Sequence, residues 1–186
     1  HRGLDVCRYP DCWMLSRGAA AWAVDVVSEA LKCNGFLGEK GRVNVSRGEP
    51  LLQLDFLIEL LRRLKQKGVH TCVDTSGGCF DPSDARYDRL LEVTDLFLLD
   101  IKHSDPEGHR QLTGRSQEKP LAFARFLSEH KKPVWVRHVL VPGITDDDTQ
   151  LKNLRAILDT LDNVQKVEVL PYHTMGVNKL HSHGIL

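Results

Sequence analysis

Five short stretches of the chain bring together side chains that can bind charge or move protons. They are Ser46-Arg47-Gly48-Glu49, Asp74-Thr75-Ser76-Gly77, Asp100-Ile101-Lys102, Arg137-His138 ahead of Pro142-Gly143, and Pro171-Tyr172-His173. Carboxylates accept hydrogen bonds from an ammonium group and hold cations, a guanidinium grips a carboxylate in a planar fork, and an imidazole exchanges protons near neutrality. Taken singly, each has a bland explanation: Asp74 caps a turn, Lys102 is a solvated lysine, and His173 is a satisfied loop histidine. What gives the set weight is its placement, because each stretch lies within, ends or follows a short apolar run.

Those runs are strands. Arg42 to Ser46, Val69 to Asp74, Leu96 to Asp100, Val134 to Val141 and Lys166 to Leu170 are rich in branched apolar residues, and helical patterns separate them. Leu51, Leu54, Leu57, Ile58, Leu61 and Leu64 recur at three- and four-residue spacing, which predicts a long amphipathic helix opened by Pro50 and closed at Lys67-Gly68. Further helices are expected over Ala20 to Lys32, Ser83 to Glu92, Leu121 to His130 and Asp147 to Leu161. Strands alternating with helices imply βαβ units and a parallel sheet. In such folds ligands gather at the carboxyl ends of the strands, where all five stretches fall.

Composition narrows the function classes. The chain has 186 residues, 41% hydrophobic and 27% charged, which suits one globular domain over residues 1–186. Lys plus Arg and Asp plus Glu both number 25, so the formal net charge is zero. Binding of nucleic acid or an anionic membrane by bulk charge is therefore not expected. No apolar run reaches the length of a membrane span. The 5 cysteines lack disulfide-framework spacing and read as reduced thiols of a cytoplasmic protein. The chain opens on His1 rather than Met, and an upstream segment is expected.

Several of these segments resemble one family. Gly68 to Gly77 (GVHTCVDTSG), Leu90 to Lys102 (LLEVTDLFLLDIK), Val134-Trp135-Val136-Arg137 through Val141-Pro142-Gly143, the acidic Asp146-Asp147-Asp148, and Val169-Leu170-Pro171-Tyr172-His173 are similar to glycyl-radical-enzyme activases of the radical SAM superfamily. The resemblance runs from about Cys7 to about Lys179. It implies a partial (β/α)6 barrel of which this chain holds strands two to six, without the first strand and the closing helix. It also implies reductive cleavage of S-adenosylmethionine by a [4Fe–4S] cluster. The resulting deoxyadenosyl radical takes a hydrogen atom from a glycine of a partner, a glycyl radical enzyme such as pyruvate formate-lyase, and a reductant such as flavodoxin feeds the cluster.

Carried over position by position, the resemblance assigns S-adenosylmethionine contacts to Gly48, Glu49, Asp100, Ile101, Lys102, Arg137 and His173. It assigns a monovalent cation to Asp74, Thr75, Leu98 and Asp100, an all-oxygen donor set suited to a hard cation. Cys7 matches the third cysteine of the family's C-x3-C-x2-C signature, with Tyr9-Pro10-Asp11-Cys12-Trp13 continuing the motif.

Three departures shape what is expected. Leu4 stands where the second cysteine belongs, and one thiolate does not hold a [4Fe–4S] cluster with an open iron. Arg8 replaces a histidine. Arg47 replaces the first Gly of a Gly-Gly-Glu motif, and a guanidinium ~5 Å from the cofactor's cationic groups would cost about 3 kcal/mol at an effective dielectric of roughly 20. Two alternatives to the radical enzyme stay open. One is a cluster-free fragment or descendant that binds the partner protein or nucleosides. The other is a barrel aldolase that uses Lys102 as a Schiff-base amine.

Overall fold

The computed structural model describes residues 4–6, 13–15, 20–21, 23–32, 42–46 and 48–172. Three short strands, β1 (Leu4–Val6), β2 (Trp13–Leu15) and β3 (Ala20–Ala21), pair antiparallel in the order β1-β2-β3. They are two or three residues long, too short to show a period, so sequence patterning misses them. Helix α1 (Ala23–Lys32) follows.

The remaining strands are β4 (Arg42–Val45), β5 (His70–Thr75), β6 (Leu96–Asp100), β7 (Val134–Leu140) and β8 (Val164–Pro171). They form one parallel sheet in sequential order. Between them run α2 (Leu54–Gln66), α3 (Arg86–Val93), α4 (Pro106–Thr113), α5 (Glu118–Glu129) and α6 (Asp148–Leu158). This α/β arrangement of five strands and intervening helices is the expected partial barrel.

Local chemistry sets the ends of the helices. Pro50–Gln53 forms a 3-10 turn capped by Glu49, whose side chain accepts from Leu51 N–H at 3.2 Å, and α2 continues from it. Gly68 ends that helix at φ +74, a left-handed conformation that a side chain resists. Helix α3 starts later than expected because Asp81 and Asp84 hold the preceding turn, accepting from Ser83 N–H at 2.9 Å and Arg86 N–H at 3.0 Å. Helix α4 was not expected at all. Asp105 caps it through Gly108 N–H at 2.7 Å and Pro106 opens it, yet it buries only His109 and has no apolar stripe to reveal it.

Strand alternation divides the sheet into two faces. The outer row holds Val45, Val73, Phe97, Leu99, Val134 and Val136, all buried beneath helices. Leu54, Leu57, Leu61 and Leu64 of α2 pack on it, as does an aromatic group in which Phe80 meets Tyr87 edge-on at 4.8 Å and Phe97 meets Phe123 at 5.6 Å. The outer row of β8 differs: Val167 and Val169 are 42% and 50% exposed.

The inner face is concave. Arg42 of β4 lies 5.0 Å from the centroid of Trp135 on β7, and Lys166 of β8 lies 4.7 Å from the same ring. In a flat sheet β4 and β7 would be about 14 Å apart, at roughly 4.8 Å per strand. Side chains of β4 and β8 thus meet one ring of β7 on this face, as a curled sheet favours, and form a cation–aromatic cluster toward the amino ends of β4 and β7.

Candidate functional site

Register places the chemistry at the other end. Asp74 pairs with Leu98, Leu98 with Trp135, and Asp100 with Arg137, so all five side chains rise from the same concave face. Arg137 donates from Nε to Asp100 Oδ1 at 3.0 Å, and its Nη2 reaches both Asp100 Oδ1 at 2.9 Å and Asp74 Oδ1. Lys102 Nζ donates to Asp100 Oδ2 at 2.6 Å. The result is a chain of alternating charge, Asp74–Arg137–Asp100–Lys102, spanning three strand ends.

Burial tunes these groups. Asp74, Asp100 and Arg137 expose only 15%, 18% and 19% of their side chains. For Asp74, burial outweighs the neighbouring guanidinium and holds the carboxyl above its ordinary range. Burial works against a charged Arg137, but the Asp100 and Asp74 carboxylates more than offset it and raise its pKa. These residues line a cleft of about 460 Å³ together with Gly48, Glu49, Ser76, Cys79, Leu52 and Arg115.

The other sequence-assigned residues take varied places. Glu49 accepts from Leu51 N–H, Thr75 Oγ1, Ser76 N–H and Ser76 Oγ, the last at 2.6 Å. A carboxylate offers about four acceptor positions, so the chain itself occupies them and Glu49 fixes the turn after β5. Thr75 sits on the outer row and reaches the cleft through that bond. Leu98 lies on the inner face between Asp74 and Trp135. Ile101 is buried, its N–H donating to Arg137 O at 3.0 Å and its carbonyl held by His138 Nδ1 at 2.7 Å. His138, one residue from Arg137, points the opposite way into the core and is no part of the cleft. His173 and Cys7 lie outside the described residues, as do Arg8, Cys12, Cys33 and Arg47.

Cys72 is buried in β5, and burial pushes its thiol up to about 12, which makes it inert. Cys79, half-buried at the cleft, is also raised, by burial and then by the charge of Glu49. Among the described residues no three His, Cys, Asp or Glu side chains gather as metal ligands. The two carboxylates assigned to a monovalent cation are bridged by Arg137 instead. Sequence reading missed Leu52, Cys79 and Arg115 as cleft residues, while Ser76 belongs to one of the stretches it placed at the strand ends.

A parallel barrel with paired charges at its carboxyl rim fits what comparison with known proteins finds. The radical SAM superfamily model matches residues 7–154. The chain belongs to this superfamily. Within it, the chain belongs with the pyruvate formate-lyase-activating enzymes: it is 49% identical over 183 residues to that of Listeria monocytogenes, covering 96% of this chain and 74% of the relative. The enzyme from Staphylococcus epidermidis is 48% identical over 184 residues, covering 96% and 73%. A solved domain of the Bacteroides vulgatus enzyme superposes with a TM-score of 0.64 at 28% identity, over 76% of this chain and 94% of that one. Streptococcus suis SuiB bound to S-adenosylmethionine shares the fold at a TM-score of 0.64 and 16% identity.

The superfamily works with S-adenosylmethionine and a [4Fe–4S] cluster. The donor set at the rim fits the first: paired acids and bases suit a zwitterionic amino-acid end, and the cleft volume suits a nucleoside-sized molecule. The second does not fit the segment that matches the cluster motif, where Leu4 supplies no ligand beside Cys7. No helix among the described residues is long and apolar enough to cross a membrane.

Proposed function

We propose that the chain is the cofactor- and partner-binding barrel of a glycyl-radical-enzyme activase, acting in the cytoplasm on pyruvate formate-lyase or a closely similar glycyl radical enzyme, with a flavodoxin-like protein as reductant. The observation that carries the reading is the Asp74–Arg137–Asp100–Lys102 chain at the carboxyl ends of β5 to β7. S-adenosylmethionine held there would supply the radical chemistry: given one electron from outside the described residues, it would yield methionine and a deoxyadenosyl radical able to take a hydrogen atom from the partner's glycine. Arg137 and Lys102 are the cations for its carboxylate, while Asp100 and the backbone carbonyls around Gly48 accept from its ammonium group, and His173 closes the set. Glu49 acts by position, holding Thr75 and Ser76 against the cleft. Asp74 and Asp100 would be free to hold a monovalent cation once Arg137 turned toward a ligand carboxylate.

Titration calorimetry with S-adenosylmethionine tests the reading. Binding is expected, at least ~10-fold weaker in Lys102→Ala, as loss of a charge-assisted hydrogen bond implies. Arg47→Gly should bind more tightly, because it removes a like charge and restores backbone freedom. A cooperatively folded chain that gives no heat with the cofactor in either protein overturns it.

Leu4 favours a second reading, in which the same barrel binds nucleoside and partner without radical chemistry. Anaerobic reconstitution with iron and sulfide separates the two. A stoichiometric reduced cubane in electron paramagnetic resonance supports the radical enzyme, and its absence supports the cluster-free binder. The aldolase alternative loses ground to the geometry, since a Schiff-base lysine must be a desolvated free amine. Lys102 is ion-paired to Asp100 and half exposed. Borohydride trapping of a small aldehyde on Lys102 would restore that alternative.

A further inference from the structure

Among the described cleft residues, every charged group but one has its partners within the chain. Glu49 is saturated, Asp74 and Asp100 share Arg137, and Lys102 is on Asp100. The guanidinium of Arg115 lines the same cleft, lies exposed, and donates to no described side chain or carbonyl.

Its position is nonetheless built. Gly114 closes α4 in the left-handed conformation at φ +71, with its N–H on Arg110 O at 2.8 Å, and this turns the chain back toward the sheet. Arg115 N–H donates to Thr113 Oγ1 at 3.2 Å. Two residues on, the buried Gln117 donates through Nε2 to the carbonyl of His103, the residue after Lys102. The loop is thus pinned to the segment that carries the rim lysine. Leu52, 64% exposed, is a second cleft-lining side chain that the fold leaves unburied.

From these facts, and resting on the function proposed above, we infer that Arg115 and Leu52 hold the glycine-bearing segment of the partner at the mouth of the cleft. A target glycine has no side chain to recognise, so the handles nearest the reacting carbon are the main-chain carbonyls on either side. Arginine suits them: five donors in a planar fork, with no acceptor to repel a carbonyl. Leu52 takes an apolar side chain flanking the glycine, which removes both from water. Deeper in the cleft, the paired rim charges serve the cofactor. Arg115 is a specificity residue for the second substrate and not a cofactor ligand.

The test needs no cluster and no turnover. A fluorescein-labelled peptide spanning the radical glycine of pyruvate formate-lyase is titrated with the S-adenosylmethionine-saturated chain and followed by anisotropy. Arg115→Met should weaken peptide binding ~10-fold and Leu52→Ser about fivefold, with S-adenosylmethionine affinity by calorimetry unchanged in both. Arg115→Lys should recover part of the loss, and Lys119→Met, a neighbouring cation outside the cleft, should lose nothing. Unchanged peptide binding in Arg115→Met overturns the inference, as does a parallel fall in cofactor affinity, which would make Arg115 a cofactor ligand. Cofactor binding without peptide binding by the unaltered chain overturns this inference alone. Failure to bind either overturns the proposed function with it.

Discussion

Two aspartates at opposite ends of the barrel strands have opposite fates. Asp95, just before β6 at the amino end, accepts from Thr71 N–H at 2.9 Å and Thr71 Oγ1 at 3.0 Å, and pairs with Lys65 at 2.5 Å. Burial acts to raise its pKa, but those three partners outweigh it and hold the carboxyl below its ordinary range. Asp74, at the carboxyl end of β5, is more deeply buried and faces another carboxylate across Arg137, and it is raised. One end of the sheet uses charge to fix strands in place. The other keeps charge under tension, where small changes in neighbours move protonation and affinity, as functional sites do. The same division appears in the Trp135 cluster below and the open cleft above.

The largest break in this contrast should come from Arg137→Met, which strands two buried carboxylates. A cost of about 3 kcal/mol in urea unfolding is expected at pH 7, together with more than tenfold weaker S-adenosylmethionine binding. In the variant, burial and the charge of Asp100 both favour the neutral acid at Asp74, so its folded-state pKa stands above the unfolded value. An acid shifted that way binds its proton more readily when folded. The variant should therefore regain stability as pH falls through the folded-state pKa toward ~3.9, the unfolded value.

Asp95→Asn should show the reverse sign and a smaller effect. It keeps one acceptor for Thr71 and loses the charge that Lys65 pairs with, at about 1 kcal/mol. Because the native carboxyl is lowered, the stability it contributes is present above the unfolded pKa and disappears as pH falls through the folded one. The two melting curves should thus converge in acid, while cofactor affinity stays unchanged. Convergence on raising the pH instead would invert the assignment of the two ends.

The smallest effect belongs to Trp135→Phe, which weakens both cation–aromatic contacts by about 0.5–1 kcal/mol in total. It should leave cofactor and peptide binding untouched.

The five sheet strands were legible because branched apolar runs are separated by strong helical patterns, and the rim residues because they lie within, at the end of or just after such a run. Neighbouring residues were harder. Arg137 and His138 read alike in sequence, yet strand alternation sends one into the cleft and the other into the core. Ile101 resembled a contact residue, but its side chain is buried and both its backbone groups are used internally. Helix α4 hid because it lacks an apolar stripe, though Asp105-Pro106 is a fair start signal. Nothing local announces that Asp74 and Asp100 share a guanidinium, since that bond joins residues 63 and 37 positions apart. Arg115 was invisible for the same reason, its loop being pinned to His103 by Gln117 from 14 positions away.

The shared guanidinium also bears on the order of folding. Contacts between residues far apart in sequence must wait for the intervening chain to be organised, because loop closure costs entropy before any contact rewards it. Arg137 meets Asp74 only after β5, β6 and β7 have docked in register with α3, α4 and α5 between them. The helices and local turns can form early, but the binding site cannot exist in a half-folded chain. Nascent or partly unfolded copies are therefore silent toward ligand, and bound cofactor stabilises only the last step of assembly.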